Sequence, residues 1–280
     1  METHNRSAGY GRSLLVAVAL TIGGILSAEF LTLPAILAEP GLISEPAETS
    51  REIRTAFFVL NFAGFFVAGA AYLWWTERGW AFIDISVPDR RGWLMSIVGI
   101  LVSIGFVIGA GVLSTLLDIP PSSNQVINFI GEDPTMVLIM IAIVFLFNAP
   151  AEEFLFRGII QKRLYASFTK MHAVLVTSAI FALVHLPAYG LAPGSESVPP
   201  SAIVFSLTVV FGGSIIFGYL YVITDNLFVP IAAHAGFNAF QFGTMYIVLQ
   251  YGDDEDIEAI TSTLFEVLPA LLEARAVVGA

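Results

Sequence analysis

Two adjacent glutamates and an arginine occur in the segment NAPAEEFLFRG, residues 148–158, within one of the most apolar parts of the chain. Glu153 and Arg157 are four residues apart, so a helix places them on one face, with the acid N-terminal as ion pairs prefer. Glu152 is rotated by about 100° from Glu153, so its partner is expected from another helix.

Charge at membrane depth is costly and is kept mostly for function or pairing. Glu153 and Arg157 could form a structural salt bridge. Glu152 is either a protonated, inert carboxyl or a candidate general base.

His185, in SAIFALVHLP, is expected at the same depth as Glu152. The two apolar segments that carry these residues are antiparallel and are joined by a turn near residues 167–170. Glu152 and His185 are equally far from the middle of this turn along the sequence. A carboxylate and an imidazole that face each other at one level can polarise a water for general-base catalysis. The alternative is a core histidine whose hydrogen bonds are satisfied within the bundle.

His234 and Asn238, in NLFVPIAAHAGFNAF, are also four residues apart and share a helix face. Two such donors can hold the oxygen of a tetrahedral intermediate. The alternative is a hydrogen bond that joins two helices of a bundle. Glu29, in LSAEFLTLP, is a second-rank candidate, which could face the same cavity or compete with Glu153 for Arg157.

The composition indicates an integral membrane protein. Of the 280 residues, 56% are apolar and only 12% are charged, whereas a soluble domain is about a quarter charged. The absence of cysteine excludes structural disulfides, a thiolate nucleophile and cysteine-bound metals. The net charge of −11 would repel nucleic acid, so the lipid bilayer is an expected partner and nucleic acid is not.

The hydropathy pattern predicts an all-α, polytopic membrane helical bundle of about seven transmembrane helices, with eight possible. A span needs about 20 apolar residues, and seven segments qualify: 13–38, 55–75, 93–117, 135–165, 171–190, 202–223 and 227–249. The end of the fourth segment, RGIIQKRLYAS, is amphipathic and is expected to lie at or beyond the membrane interface. The acidic tail is expected to form a surface amphipathic helix.

Loop cations favour a cytoplasmic N-terminus in the cell membrane. This orientation places nine cations inside, namely Arg6, Arg12, Arg78, Arg90, Arg91, Arg157, Lys162, Arg163 and Lys170. It places three outside, namely Arg51, Arg54 and Arg275. We divide the chain into N-terminal transmembrane helices and loops (1–134), a catalytic core of four transmembrane helices (135–249) and the acidic tail (250–280).

Three motifs occur in order along the predicted core: EEFLFR reads E-E-x-x-x-R, FALVH reads F-x-x-x-H, and HAGFN reads H-x-x-x-N. The ordered set resembles the CPBP family of intramembrane proteases, also called the Abi family. That family includes the type II CAAX prenyl endopeptidases and enzymes that process bacteriocins or confer immunity to them. The resemblance covers residues 135–240.

The resemblance implies a helical bundle with a cavity open toward the cytosolic side, which cuts peptide bonds near the membrane. Glu152 and His185 would activate the attacking water, and His234 and Asn238 would bind the oxyanion. Glu153 and Arg157 would be supporting residues. The implied substrates are membrane-proximal or lipidated peptides, of which a prenylated CAAX tail is one option.

The sequence leaves the cofactor open between Zn²⁺ and none. The family was long described as metalloproteases, and a metal-independent glutamate mechanism has also been argued for the CAAX enzymes. Glu152, His185 and His234 could form a zinc site with an open fourth position, although the firmer H-E-x-x-H signal is absent.

Two other functions remain as alternatives. One is a catalytically silent membrane scaffold or immunity protein of the same fold, but the chain keeps the complete residue set. The other is a proton-coupled transporter, in which ionisable groups would follow a path across the bilayer. The candidate residues instead cluster near one level, which favours a reaction centre.

Overall fold

The computed structural model describes residues 3–119, 122, 124–190 and 198–252. These residues form helices and loops without a strand, which confirms the all-α prediction. The helices are α1 (Thr3–Ala38), α2 (Arg51–Trp75), α3 (Arg90–Leu116), α4 (Gln125–Ile130), α5 (Pro134–Leu164), α6 (Lys170–Val184), α7 (Leu186–Gly190), α8 (Pro200–Thr224) and α9 (Phe228–Tyr251). Single helical turns at Pro40–Leu42, Pro46–Glu48 and Trp80–Phe82 lie in the connections.

Within the described residues, five helices are long and apolar enough to cross a membrane: α1 from Gly9 onward, α2, α3, α5 and α8. The membrane bundle is therefore confirmed, whereas the count of seven spans is not. The fifth predicted segment forms α6, which has only 15 residues. The seventh forms α9, which has 24 residues but carries the polar His234, Asn238 and Gln241. The helix predicted for the acidic tail falls on residues outside those described.

The helix directions define two faces of the bundle. We call the face with the connections 39–50 and 117–133 the loop face. The opposite face carries 76–89, 165–169 and 225–227, and we call it the turn face. Helices α1, α3, α6 and α9 run from the turn face toward the loop face, and α2, α5 and α8 run back.

Helix α5 occupies the centre of the bundle, and every residue from Ala151 to Gln161 is buried. The first residues of its last third, 157–161, therefore pack inside the protein. Gln161 Nε2, for example, donates to the carbonyl oxygen of Gly218 at 3.1 Å and to Tyr165 Oη at 2.8 Å. The position of RGIIQKRLYAS at or beyond the membrane interface stays a prediction.

Two π-helical stretches flank the paired glutamates in α5. Val144–Asn148 and Phe154–Gln161 enclose the α-helical stretch Ala149–Glu153. In the first stretch, the Ala149 N–H bonds to the carbonyl five residues earlier, on Val144. Pro150 has no N–H to continue the regular pattern. Such wide turns inside α-helices are frequent at functional sites.

Asp133 fastens the start of α5 to α2 on the loop face. Its Oδ1 caps α5 by accepting hydrogen bonds from the backbone N–H groups of Thr135 at 3.0 Å and Met136 at 3.3 Å. Its Oδ2 accepts from Arg51 and, at 3.3 Å, from the buried Arg54. Burial, the largest influence, acts to raise the pKa of Asp133, but these hydrogen bonds and the charge of Arg51 together outweigh burial and lower it.

We expect Asp133→Asn to lower the free energy of unfolding by about 1–2 kcal/mol at neutral pH, because a cap and an ion pair are weakened. Since the folded pKa is lowered, the contribution of the carboxylate is complete above its unfolded pKa of about 3.9. It is lost as the pH falls through the folded value. Thermal unfolding of both proteins from pH 7 down to pH 3 should therefore show the gap closing in acid.

The matched control is Asp118→Asn on the same face, at an exposed position with φ of 55°, which asparagine tolerates. This change should leave the unfolding temperature nearly unchanged. A gap for Asp133→Asn that is the same at every pH would show that the charge of Asp133 does not stabilise the fold.

Candidate active site

The predicted ion pair between Glu153 and Arg157 is present, and both side chains are fully buried. Arg157 Nη1 donates to Glu153 Oε1 at 2.9 Å. Its Nη2 donates to Ser214 of α8, at 3.1 Å to the carbonyl oxygen and 2.8 Å to Oγ. The guanidinium carbon also lies 4.8 Å from the centre of the Phe181 ring. These contacts compensate a charge that would be strongly destabilising if buried alone.

Glu153 also orients His234 of α9. The same Oε1 atom accepts a hydrogen bond from His234 Nδ1 at 2.9 Å. Because an ionised carboxylate can only accept, the proton lies on Nδ1. The other ring nitrogen, Nε2, is 3.8 Å from Glu152 Oε2, and the Phe217 ring stacks on the imidazole at 4.7 Å. Glu153 is therefore a bridge between Arg157 and His234.

Glu152 is 8% exposed and is held by Asn148, one helical turn earlier. Asn148 Nδ2 donates to Glu152 Oε1 at 2.9 Å. Asn148 Oδ1 in turn accepts from Asn238 Nδ2 of α9 at 3.0 Å. A partner from another helix was expected, but the hydrogen-bond partner of Glu152 among the described residues is Asn148 of the same helix, and His234 of α9 approaches it only to 3.8 Å. Asn148 was missed, although its position four residues before Glu152 was a usable signal.

His185 lies at the end of α6 and is half-buried. Its Nδ1 is 2.8 Å from the carbonyl oxygen of Phe181. A carbonyl can only accept, so this nitrogen is the donor and Nε2 is left as an acceptor. In the described part of the chain no hydrogen bond or ion pair joins His185 to Glu152. The two residues do line the same cavity.

This cavity has a volume of about 660 Å³ and brings together residues from most of the bundle. Glu152, His185, His234 and Asn238 all lie on its wall. Ten phenylalanine rings also line it, namely those of Phe57, Phe58, Phe62, Phe65, Phe106, Phe129, Phe181, Phe217, Phe237 and Phe242. The polar residues thus face a space whose remaining wall is mainly apolar, as is usual for small ligand sites.

The cavity opens on the loop face. Its wall includes Ile43, Ser44 and Pro46 from one connection and Ser122 and Asn128 from the other. None of its described lining residues comes from the connections of the turn face. With the N-terminus in the cytoplasm, the turn face is inside and the mouth is outside. With the mouth on the loop face, the expected cytoplasmic N-terminus and the expected cytosolic opening do not agree with each other, and both stay predictions.

The positions of Glu152, His185 and His234 bear on whether they could hold a zinc ion. Among the described residues, no three His, Cys, Asp or Glu side chains form a group that could hold a metal ion. Each candidate histidine keeps one free ring nitrogen, because Nδ1 is bound by Phe181 or Glu153. A zinc ion on Glu152, His185 and His234 would require these side chains to move closer together. The zinc site stays a prediction, and no chemical step below depends on it.

Residues 134–240 match the family model of type II CAAX prenyl endopeptidase Rce1-like proteins. This range agrees with the segment over which the sequence motifs resemble the CPBP family, and it contains all six candidate site residues. The match and the apolar helices identify an integral, multi-pass membrane protein with the signature of a protease family. No curated protein and no solved structure matches the chain.

Proposed function

We propose that this chain, which belongs to the CPBP family of CAAX-type proteases, is an intramembrane endopeptidase. It hydrolyses peptide bonds of membrane-proximal or lipidated, CAAX-like substrates. One observation carries the proposal: Glu152, His185, His234 and Asn238 come from three helices and line a single cavity with a largely apolar wall. A scaffold has no need for such convergence, and a transporter would need these groups along a path rather than at one place.

Glu152 is the general base in this mechanism. Its Oε1 is held by Asn148, which leaves Oε2 directed toward His234 and the cavity. A water between Glu152 and the Nε2 atom of His185 gives one proton to the carboxylate as its oxygen attacks the scissile carbonyl carbon. Glu152 then transfers this proton to the amide nitrogen as the carbon–nitrogen bond breaks, so that acid and amine products form and the carboxylate is regenerated.

His234 and Asn238 stabilise the oxyanion. The Asn238 amide uses one N–H for Asn148 and retains the second for the developing charge. His234 can donate through Nε2 only when both ring nitrogens carry protons. Glu153 provides the counter-charge for that form, because its carboxylate is already bound to Nδ1. Donors fixed in a low-dielectric cavity stabilise such an intermediate far more than water does.

We expect Glu152→Gln to reduce cleavage by about 10²–10⁴, since the general base is lost. His185→Ala should also reduce cleavage, because the water loses the Nε2 acceptor that positions it. Asn238→Ala should lose about 10²–10³ for one oxyanion donor. Asn148→Ala should cost about 10–10²-fold, because Glu152 loses the contact that positions it. Comparative proteomics of membrane peptides, with the wild type against each variant, measures these losses.

The matched control is Glu132→Gln, an equal change of charge at an exposed residue outside the cavity. It should cut at the wild-type rate. All variants should insert and unfold at temperatures close to the wild type. Wild-type cleavage by Glu152→Gln and His185→Ala would refute the catalytic assignment.

The metal requirement is a separate prediction. Because the described donors do not converge, we expect the purified protein to cut at full rate after dialysis against a chelator. Its zinc content should be well below one ion per chain. Inhibition by the chelator that is reversed by added zinc, together with about one bound zinc per chain, would instead establish the Glu-His-His site.

We also propose that the N-terminus is cytoplasmic, on the strength of the loop cations, so that the cavity mouth faces outward. The chain has no cysteine, so single substitutions give labelling without background. In sealed cells, Ser44→Cys on the loop face should react with a membrane-impermeant maleimide. Val87→Cys, exposed on the turn face, should react only after the cells are opened. The reverse pattern would place the mouth in the cytosol and show that the cation rule fails here.

A further inference from the structure

Glu29 is an ionisable residue that the proposed mechanism leaves without a role. It lies within the membrane-spanning part of α1, nine residues before the end of that helix, and its side chain is exposed. It lines the same cavity as Glu152. Ile25, Ala28 and Ile36 of α1 line the cavity as well. Their helical spacing shows that one face of α1 forms part of the cavity wall, with Glu29 on it.

Glu29 lies at nearly the depth of Glu152. Gly24 of α1 packs against Leu155 of α5, where an added Cβ would be 2.8 Å from Leu155 Cδ2. The two helices are antiparallel. Toward the loop face, Glu29 is five residues beyond Gly24, and Glu152 is three residues beyond Leu155. At 1.5 Å of rise per residue, the two carboxylates differ in depth by only about 3 Å.

No protein cation neutralises Glu29 within the described residues. Arg157, the partner considered from the sequence, is bound to Glu153 and Ser214 instead. The ion pairs of the described chain do not include Glu29. The described lining of the cavity contains two glutamates and neither lysine nor arginine. A carboxylate at this depth is costly unless something of opposite charge meets it.

We propose that Glu29 is a specificity-determining residue: it binds a basic side chain of the substrate close to the scissile bond. This inference rests on the proposed protease function and adds a preference to it. A lysine or arginine in an extended peptide would carry its charge to Glu29, while apolar neighbours occupy the phenylalanine-lined space. Asn61 of α2 also lines the cavity. It is three residues from Gly64, whose close packing on Ala28 holds α2 against α1 at the level of Glu29.

A charge-based preference is favoured over a catalytic role, because the proton transfers already have a base in Glu152 and Glu29 is the more exposed of the two. Exposure also limits the size of the effect, since ion pairs open to solvent are weak. We therefore expect a preference of about fivefold for a basic residue over an apolar one of similar length.

The test uses internally quenched peptides in matched pairs, which differ only by lysine or norleucine at one position. Each position within four residues of the cleaved bond is varied in turn, with protein reconstituted in nanodiscs. The wild type should show a higher kcat/KM for lysine at one of these positions. Glu29→Gln should abolish that preference and leave the norleucine peptide within about twofold. Glu29→Lys should reverse the preference toward a glutamate peptide.

Glu48→Gln is the matched control. It removes the same charge from the loop face at an exposed residue that does not line the cavity. The lysine preference should survive this change. Loss of the preference in Glu48→Gln as well would assign it to the overall acidic surface and overturn the role of Glu29.

Peptide binding to an inactive variant is measured without cleavage, so it tests the Glu29 subsite independently of the protease activity. The same fluorescent peptide pairs are titrated onto Glu152→Gln protein, with and without Glu29→Gln. A lower Kd for the lysine peptide that requires Glu29 supports the subsite. This holds even if the wild type cuts none of the peptides; in that case only the protease proposal fails. Cleavage without any lysine preference, or equal Kd values for both peptides, overturns the subsite and leaves the protease proposal standing.

Discussion

The bundle depends on a buried chain of hydrogen bonds that runs from Arg157 through Glu153 to His234. The charges of Arg157 and Glu153 would each be costly alone, because a charge removed from water loses several kcal/mol of hydration. Glu153 Oε1 compensates both neighbours, with each donor at 2.9 Å. Since Arg157 also binds Ser214, the chain joins α5 to α8 and α9. The positions of three helices are thus fixed by groups that cannot be left unpaired.

This chain also explains why the two adjacent glutamates differ. Glu153 faces the protein interior, is fully buried and has its charge balanced by Arg157. Glu152 faces the cavity, is held by the neutral amide of Asn148 and approaches His234 only at 3.8 Å. One carboxylate is therefore committed to structure while its neighbour keeps an oxygen free for chemistry. The π-helical stretches Val144–Asn148 and Phe154–Gln161 lie on either side of the helical turn that carries these two glutamates.

The sequence predicted what depends on local geometry and missed what depends on the packing of distant elements. The Glu153–Arg157 pair follows from helical spacing alone, and it is present. The apolar segments predicted the helices, including α9, although its polar cavity residues lower its hydropathy and it is not among the five described helices that are apolar enough to cross a membrane. The bond from Glu153 to His234 could not be read from the sequence, because it depends on how α9 rotates against α5. The burial of residues 157–161 was missed for the same reason, since an amphipathic pattern does not reveal whether its partner is lipid or protein.

The charges of the cavity also bear on which peptides it accepts. A CAAX tail is C-terminal, so its terminal carboxylate would lie within a few residues of the scissile bond, at about 3.3–3.6 Å per extended residue. Glu152 is 18 residues from the start of α5, about 27 Å along the helix, so that carboxylate would still be inside the cavity. The described wall there offers two carboxylates, whereas Arg51 and Arg54 on the loop face are both bound to Asp133. Among the described lining residues there is therefore no cation to meet the free C-terminus of a CAAX-like substrate, whereas a membrane-proximal substrate cut at an internal bond brings no such charge.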